Sequence, residues 1–370
     1  MNRTASLTAL ERELVAMIAA EGPVGVDRYM TLCLGHARHG YYMRRDPLGR
    51  TGDFTTAPEI SQIFGELIGI WSATAWQTMG EPSPFRLIEL GPGRGTLMAD
   101  LLRAVRVVPE FIEAARVTLV ETSPALRQSQ DETLSRLGVA VDWHFRLEEV
   151  PPGPTLLLAN EFFDVLGVQQ FVRTATGWHE RLVGIDDSGK LAFGLAPDPL
   201  PPAVLPDWAE AAAPGEVVEI SPARDEAAQA IGARLKAMGG AGLIIDYGHV
   251  RSEPGDTLQA VRDHAYQGLL DRPGETDLTS LVDFEALGCA FAKGGAAVHG
   301  PLTQGAFLSA MGLAERTEVL KRHADMNSRM DIDAASKRLA ADTQMGHLFK
   351  VIAATHPDLP PPYPFKEPSA

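Results

Sequence analysis

The chain has 370 residues, 45% of them hydrophobic and 22% charged, and a formal net charge of −15. Such a length buries a large core and allows about two domains, or one domain with insertions. The acidic balance argues against nonspecific phosphate contacts with DNA or RNA and favours a basic partner surface, and no apolar run approaches the roughly 20 residues of a membrane span.

The opening segment MNRTASLTALERELVAMIAAEG carries Glu11, Glu13 and Glu21 in an amphipathic helical pattern and lacks the character of an export or organelle signal. It suits a bacterial cytoplasmic protein. Cys33 and Cys289 lie in apolar segments with no C-x-x-C partner, which predicts buried thiols, a reducing compartment, no disulfide and no cysteine-built metal site.

After this helix, DRYMTLCLGHARHGYYMRRDPLGRTGDFTTAPEIS reads as irregular structure or short helices ending near Pro58. Ile60, Ile63, Phe64, Leu67, Ile68 and Trp71 then follow the helical period on one face, with Pro58 in the first turn and Gly80 as the stop. From residue 85 strands and helices alternate: FRLIEL, TLMADLLRAV, RVTLVE, SPALRQSQDETLSRL and TLLLAN. This order predicts a parallel sheet with crossover helices.

Residues 167 to about 215 break the rhythm. Short strands separated by Thr-Gly and Asp-Ser-Gly turns predict an antiparallel insertion, closed by the proline-rich surface loop APDPLPPAVLPDWAEAAAPGE. The alternation resumes with the helix PARDEAAQAIGARLKAMGG, the strand AGLIIDYGH, the helix LVDFEALGCAFAKGG, the strand AAVHG and helices around FLSAMGL and MGHLFKVIAA. The tail HPDLPPPYPFKEPSA is expected to be extended and packed on the surface as a strap.

The stretch LIELGPGRGTL joins a strand to a helix through three glycines, Gly91, Gly93 and Gly95, and such a turn lets a ligand approach bare backbone. A dinucleotide site has the spacing G-x-G-x-x-G; here it is G-x-G-x-G, and Glu89 at the strand end would repel pyrophosphate. The ligand is therefore expected to lack phosphates and to carry a cationic part, as S-adenosyl-L-methionine does. Glu121 ends the next strand 26 residues past Gly95, near the ~20 expected for an acid that grips ribose hydroxyls.

With these motifs in place the chain resembles a known family. GYYMRRDPLGRTGDFTTAPEISQIFGELIGIW, LIELGPGRGTLMADLLR, LVETSPAL, LANEFFDVL, LIIDYGH and MGHLFKV are similar to the MidA-type methyltransferases, which include the mitochondrial assembly-factor methyltransferase of respiratory complex I. The resemblance spans about residues 24 to 355. It implies an α/β fold with a Rossmann-like class I methyltransferase sheet, helices on both faces, an N-terminal helical extension and an inserted antiparallel β segment. It further implies S-adenosylmethionine as cofactor and a protein arginine, in a complex I subunit or its bacterial counterpart, as methyl acceptor; eukaryotic relatives would act in the mitochondrial matrix. Gly52, Asp53 and Thr55 of GDFTTAPEIS would help close the cofactor site. Two positions depart from the family pattern, Gly167 in place of a proline and Ala57 in place of a serine.

The implied organisation is an N-terminal helical region over 1–80 that closes the cofactor site, a cofactor-binding core over 81–300 with the insertion at about 167–215, and C-terminal helices with a proline-rich tail over 301–370.

On the acceptor side, ligands in open α/β sheets lie beyond the carboxyl ends of the strands, which points to Asn160, Glu161 and Asp164 after TLLLAN. Carboxylates bind a planar guanidinium bidentately and aim one nitrogen at the donor methyl. DYGH adds Asp246, Tyr247 and His249, the histidine as a candidate proton acceptor. Tyr41 and Tyr42 are read either as core or as walls of an acceptor channel. The histidines show no ligand spacing, and methyl transfer by in-line displacement needs no metal.

Two other readings stand beside the enzyme. One is a non-catalytic assembly factor or binding module that retains the fold, and the other is a nicotinamide-dependent oxidoreductase, disfavoured by the glycine spacing.

Overall fold

The computed structural model describes residues 7–44, 56–201, 205–322 and 324–366. Its centre is a mainly parallel sheet whose strands, in chain order, are β1 (Phe85–Leu90), β2 (Ala115–Val120), β3 (Val141–His144), β4 (Thr155–Asn160), β5 (Gly240–His249), β6 (Ala297–Thr303) and β7 (Phe349–Thr355). Across the sheet they run β3-β2-β1-β4-β5-β7-β6, and β7 runs antiparallel to both β5 and β6 while the other pairings are parallel. A two-residue strand, Val282–Asp283, extends the pairing at the carboxyl end of β5.

Helices cover both faces, as the alternation predicts. On one face Gln62–Thr78 and Thr96–Ala104 pack over Leu87, Val117, Leu156 and Leu243; on the other, Pro222–Met238 and Phe284–Lys293 pack over Ile88, Leu157 and Ile244. Successive side chains of a strand point to opposite faces, so a strand covered on both sides is apolar throughout.

Several elements differ from the sequence reading, each for a local reason. The segment after the first helix (Ala9–Glu21, capped by Thr8 and Glu11) contains a regular helix, Val26–Gly35, burying Val26, Tyr29, Met30, Cys33 and Leu34. The helix expected from Pro58 is split: Ala57–Ile60 stops at Ser61, whose extended backbone and side chain cap the Ile63 N–H and start Gln62–Thr78. FKVIAAT is the strand β7, not a helix; a short apolar run buried on every side has no periodicity to reveal its type. Cys289 is exposed on the outer side of Phe284–Lys293, whose inner side is Phe284, Leu287, Ala290 and Phe291.

The insertion is an antiparallel sheet of Gln169–Thr174, Gly177–Ile185, Leu191–Leu195 and Val217–Ile220, joined by Val24–Gly25 from the N-terminal region. A second excursion forms a three-stranded sheet of Gln259–Arg262, Ala265–Tyr266 and Asp277–Thr279. The tail returns as a strap: Phe365 is buried against Phe307, and the Tyr363 hydroxyl donates to the Ala310 carbonyl at 3.0 Å. Among the described residues no helix is long and apolar enough to cross a membrane.

Gly167 explains one departure from the family pattern. A Cβ there would lie 2.7 Å from the Asp27 carbonyl oxygen, so the start of Val26–Gly35 sits against a position that tolerates no side chain.

Candidate active site

The carboxyl ends of β1, β2, β4 and β5 open into a cavity of about 980 Å3. This is the upper end of the roughly 300–1,000 Å3 of small-molecule sites, room for a cofactor and an inserted side chain.

β1 leads into the glycine loop, where Gly91, Gly93 and Gly95 have φ of 60°, 54° and 79°. Side chains resist that region, so the turn needs glycine. Gly91 and Gly93 line the cavity; Gly95 does not. It forms the left-handed cap of Thr96–Ala104 and backs onto Gln130, so it shapes the loop rather than the wall.

Glu89 lines the same wall, is 2% exposed, and its Oε2 has no hydrogen-bond partner among the described residues. Burial pushes its carboxyl up to about 8. Glu121, just past β2, is better supported: Oε1 accepts the Ser123 N–H at 2.7 Å and Oε2 accepts Gln130 Nε2 at 3.2 Å. Burial still raises its pKa. Gln130 also donates to the Gly93 carbonyl at 2.8 Å and accepts from Trp143 Nε1 at 2.9 Å, which ties the acid to the glycine loop.

β4 ends at Asn160, and Glu161 turns the chain with φ of 51°, a left-handed conformation unusual for a glutamate. Its Oε1 accepts Asn160 Nδ2 at 3.1 Å and the Ala57 N–H at 3.3 Å. Burial, with Asp164 beside it, pushes Glu161 up to about 7. Asp164 is 4% exposed, and burial raises it against the opposing pull of a hydrogen bond from Tyr247 and the charge of Arg224. Asn160 Oδ1 and Asp164 Oδ1 lack partners among the described residues.

Asp246 and His249 do not line this cavity. Asp246 is fully buried beneath the turn, where its carboxylate accepts the N–H groups of Phe163, Asp164 and Tyr247 at 2.9, 3.2 and 2.9 Å. His249, the last residue of β5, stands away from the cavity that it was expected to serve, with Nδ1 on the Arg251 carbonyl at 2.6 Å. Of DYGH, Tyr247 faces the cavity. Tyr41 is core, whereas Tyr42 lines the cavity and donates to Asp277 at 3.2 Å.

Gly52, Asp53 and Thr55 lie outside the described residues. Their neighbours Thr56, Pro58 and Glu59 line the cavity, and Glu59 accepts the Thr96 hydroxyl from the helix behind the glycine loop. Ala57, the second departure, is fully buried and packs into the core.

A family of S-adenosyl-L-methionine-dependent methyltransferases matches over residues 67–302. The chain belongs to this family. The human relative "Protein arginine methyltransferase NDUFAF7, mitochondrial" is 37% identical, covering 94% of this chain and 83% of its own; the Drosophila melanogaster homolog is also 37% identical, over 93% and 84%. A Burkholderia thailandensis protein crystallised with S-adenosyl-homocysteine superposes with a TM-score of 0.81 at 29% identity, covering 94% of this chain and 92% of that one. The expected class I methyltransferase fold is the fold observed, and the protein is an S-adenosylmethionine-dependent methyltransferase.

The methyltransferase's residues fit that cofactor. Orphaned buried oxygens on Glu89 and Asn160, bare backbone at Gly91 and Gly93, and a carboxylate at Glu121 face one space. Sequence reasoning missed several members of the site. Arg224, at the start of Pro222–Met238, lies behind the cavity wall and donates to the carbonyls of Phe163 at 2.8 Å, Leu281 at 2.7 Å and Ser280 at 3.1 Å, so it pins the turn after β4 to the second excursion. Asp277, Tyr266 and Arg338 line the cavity itself from distant segments, and no motif marks them.

Proposed function

We propose that this methyltransferase methylates an arginine side chain of a protein, a complex I subunit or its bacterial counterpart, and in a bacterium works in the cytoplasm. The observation that carries the reading is Glu161, fixed on a left-handed turn in the same cavity as the glycine loop, with Asp164 beside it. The relatives, named as protein arginine methyltransferases, support arginine as acceptor.

In this reading Glu89, Gly91, Gly93 and Glu121 hold the cofactor: Glu121 takes the ribose hydroxyls and Glu89 faces the cationic part. Gly95 keeps the loop in shape, and Gly52, Asp53 and Thr55 close the site from the 1–80 region. Bound S-adenosylmethionine supplies an electrophilic methyl group. Glu161 and Asp164 hold the guanidinium and aim one nitrogen, with Asn160 fixing the Glu161 carboxylate through its side-chain amide. A methylated guanidinium nitrogen gives up a proton, and Glu161, held near 7, is suited to take it. The 81–300 core carries these groups, and the 301–370 region packs beside them.

The test is incubation with methyl-labelled S-adenosylmethionine and protein extract, then amino-acid analysis of the labelled protein. The reading expects label in methylarginine; label in another amino acid would overturn it.

A further inference from the structure

S-adenosylmethionine ends in a free carboxylate, and the charged residues that line the cavity receiving it are mostly acids. Glu59, Glu89, Glu121, Glu161 and Asp164 all face it, whereas Arg94, Arg146 and Arg338 are the cations among the described lining residues. Two of the three are engaged. Arg94 lies 3.8 Å from Glu59, and Arg146 lies 3.9 Å from Glu149 beside Phe145, on the loop after β3. Arg338 forms no ion pair among the described residues. It projects from the helix Met326–Ala340, which packs near Ala57–Ile60.

The sheet sets the direction of the ligand. Glu121 follows β2, Asn160 and Glu161 stand at the end of β4, and β1 with its glycine loop lies between them. Neighbouring strands are about 4.8 Å apart, so these ends are separated by about 10 Å. A cofactor with its ribose on Glu121 therefore extends its amino-acid end across the glycine loop toward β4. Arg338 stands on that side: burial raises Glu161, and the charge of Arg338 is among the influences that oppose the rise. A guanidinium fork matches a carboxylate bidentately.

We propose that Arg338 holds the carboxylate of S-adenosylmethionine, so that a helix from the C-terminal region completes the cofactor site. A competing holder is the backbone N–H array at the start of Thr96–Ala104, since helix N-termini attract anions.

Calorimetric titration of the full chain with two probes separates these. S-adenosylhomocysteine carries the carboxylate; S-adenosyl-3-thiopropylamine is the same molecule without it. The wild type is expected to prefer the first by about tenfold or more, as for a hydrogen-bonded charge pair. In Arg338→Gln that preference falls to within about twofold, through weaker binding of S-adenosylhomocysteine alone. Arg338→Lys keeps part of it. An unchanged preference in Arg338→Gln would place the carboxylate elsewhere, and an equal loss for both probes would make Arg338 a general support of the cavity; either overturns the proposal. Failure of the wild type to bind either probe would overturn the cofactor site with it, whatever the acceptor.

Discussion

The Asp246 carboxylate accepts the backbone N–H of Asp164 at 3.2 Å, across the gap between β5 and the turn that follows β4. Through this bond and those to Phe163 and Tyr247, a buried acid that never meets the cavity sets where Asp164 stands. Arg224 holds the same turn through its carbonyls from the other side. The turn is thus gripped by a buried acid on one hand and a buried guanidinium on the other.

Removing that grip has a defined cost. Asp246→Ala leaves three buried N–H groups without an acceptor, at about 1–3 kcal/mol each, so a loss of about 3 kcal/mol or more of stability is expected in urea unfolding. A change below about 1 kcal/mol would mean that the turn holds itself.

Cofactor binding carries a pH signature from Glu89. Burial holds its carboxyl near 8, so at pH 7 it is mostly protonated in the free protein. Pairing with the cationic part of the ligand favours the ionised form and lowers that pKa. S-adenosylhomocysteine binding at pH 7 should therefore release a proton, seen as a dependence of the binding enthalpy on buffer ionisation heat, and affinity should rise as pH climbs from 6.5 toward 8.5. Glu89→Gln removes the Glu89 contribution to both effects. The same group links to folding in the opposite sense: with its folded pKa above 4.5, ligand-free stability is fullest below pH 4.5 on this account and declines as pH rises through 8. Identical proton release in wild type and Glu89→Gln would remove Glu89 from the ligand's contacts.

The glycine loop gives a sharper outcome. Gly93 lines the cavity at φ of 54°, where a β-branched residue is strained and its side chain would take up ligand space. Gly93→Val should abolish measurable S-adenosylhomocysteine binding while unfolding cooperatively. Unchanged affinity would take the loop out of the site.

The parts legible in the sequence were those written locally. The alternation from residue 85, the loop LIELGPGRG and the acid ending β2 follow from spacing alone, and the structure brings Glu89, Gly91, Gly93, Glu121, Asn160, Glu161 and Asp164 to one cavity. The strand AGLIIDYGH shows where this fails. Sequence gives distance from a strand end, but whether Asp246 rises into the cavity or sinks beneath the neighbouring turn depends on that turn's backbone, which offers it three N–H groups. Arg338 and Tyr266 were illegible because the chain brings them to the cavity from separate folding excursions, with no local pattern to report the meeting.

Glu161→Gln is the most direct test of the account. The substitution keeps the side chain's length and its Oε1 acceptor for Asn160 and Ala57, but removes the charge that would hold a guanidinium. Measured side by side, S-adenosylhomocysteine affinity should stay within about twofold of wild type, while labelled-methyl transfer to protein arginine falls by at least about a hundredfold. Transfer at the wild-type rate would contradict the claim that the acid after β4 orients the acceptor.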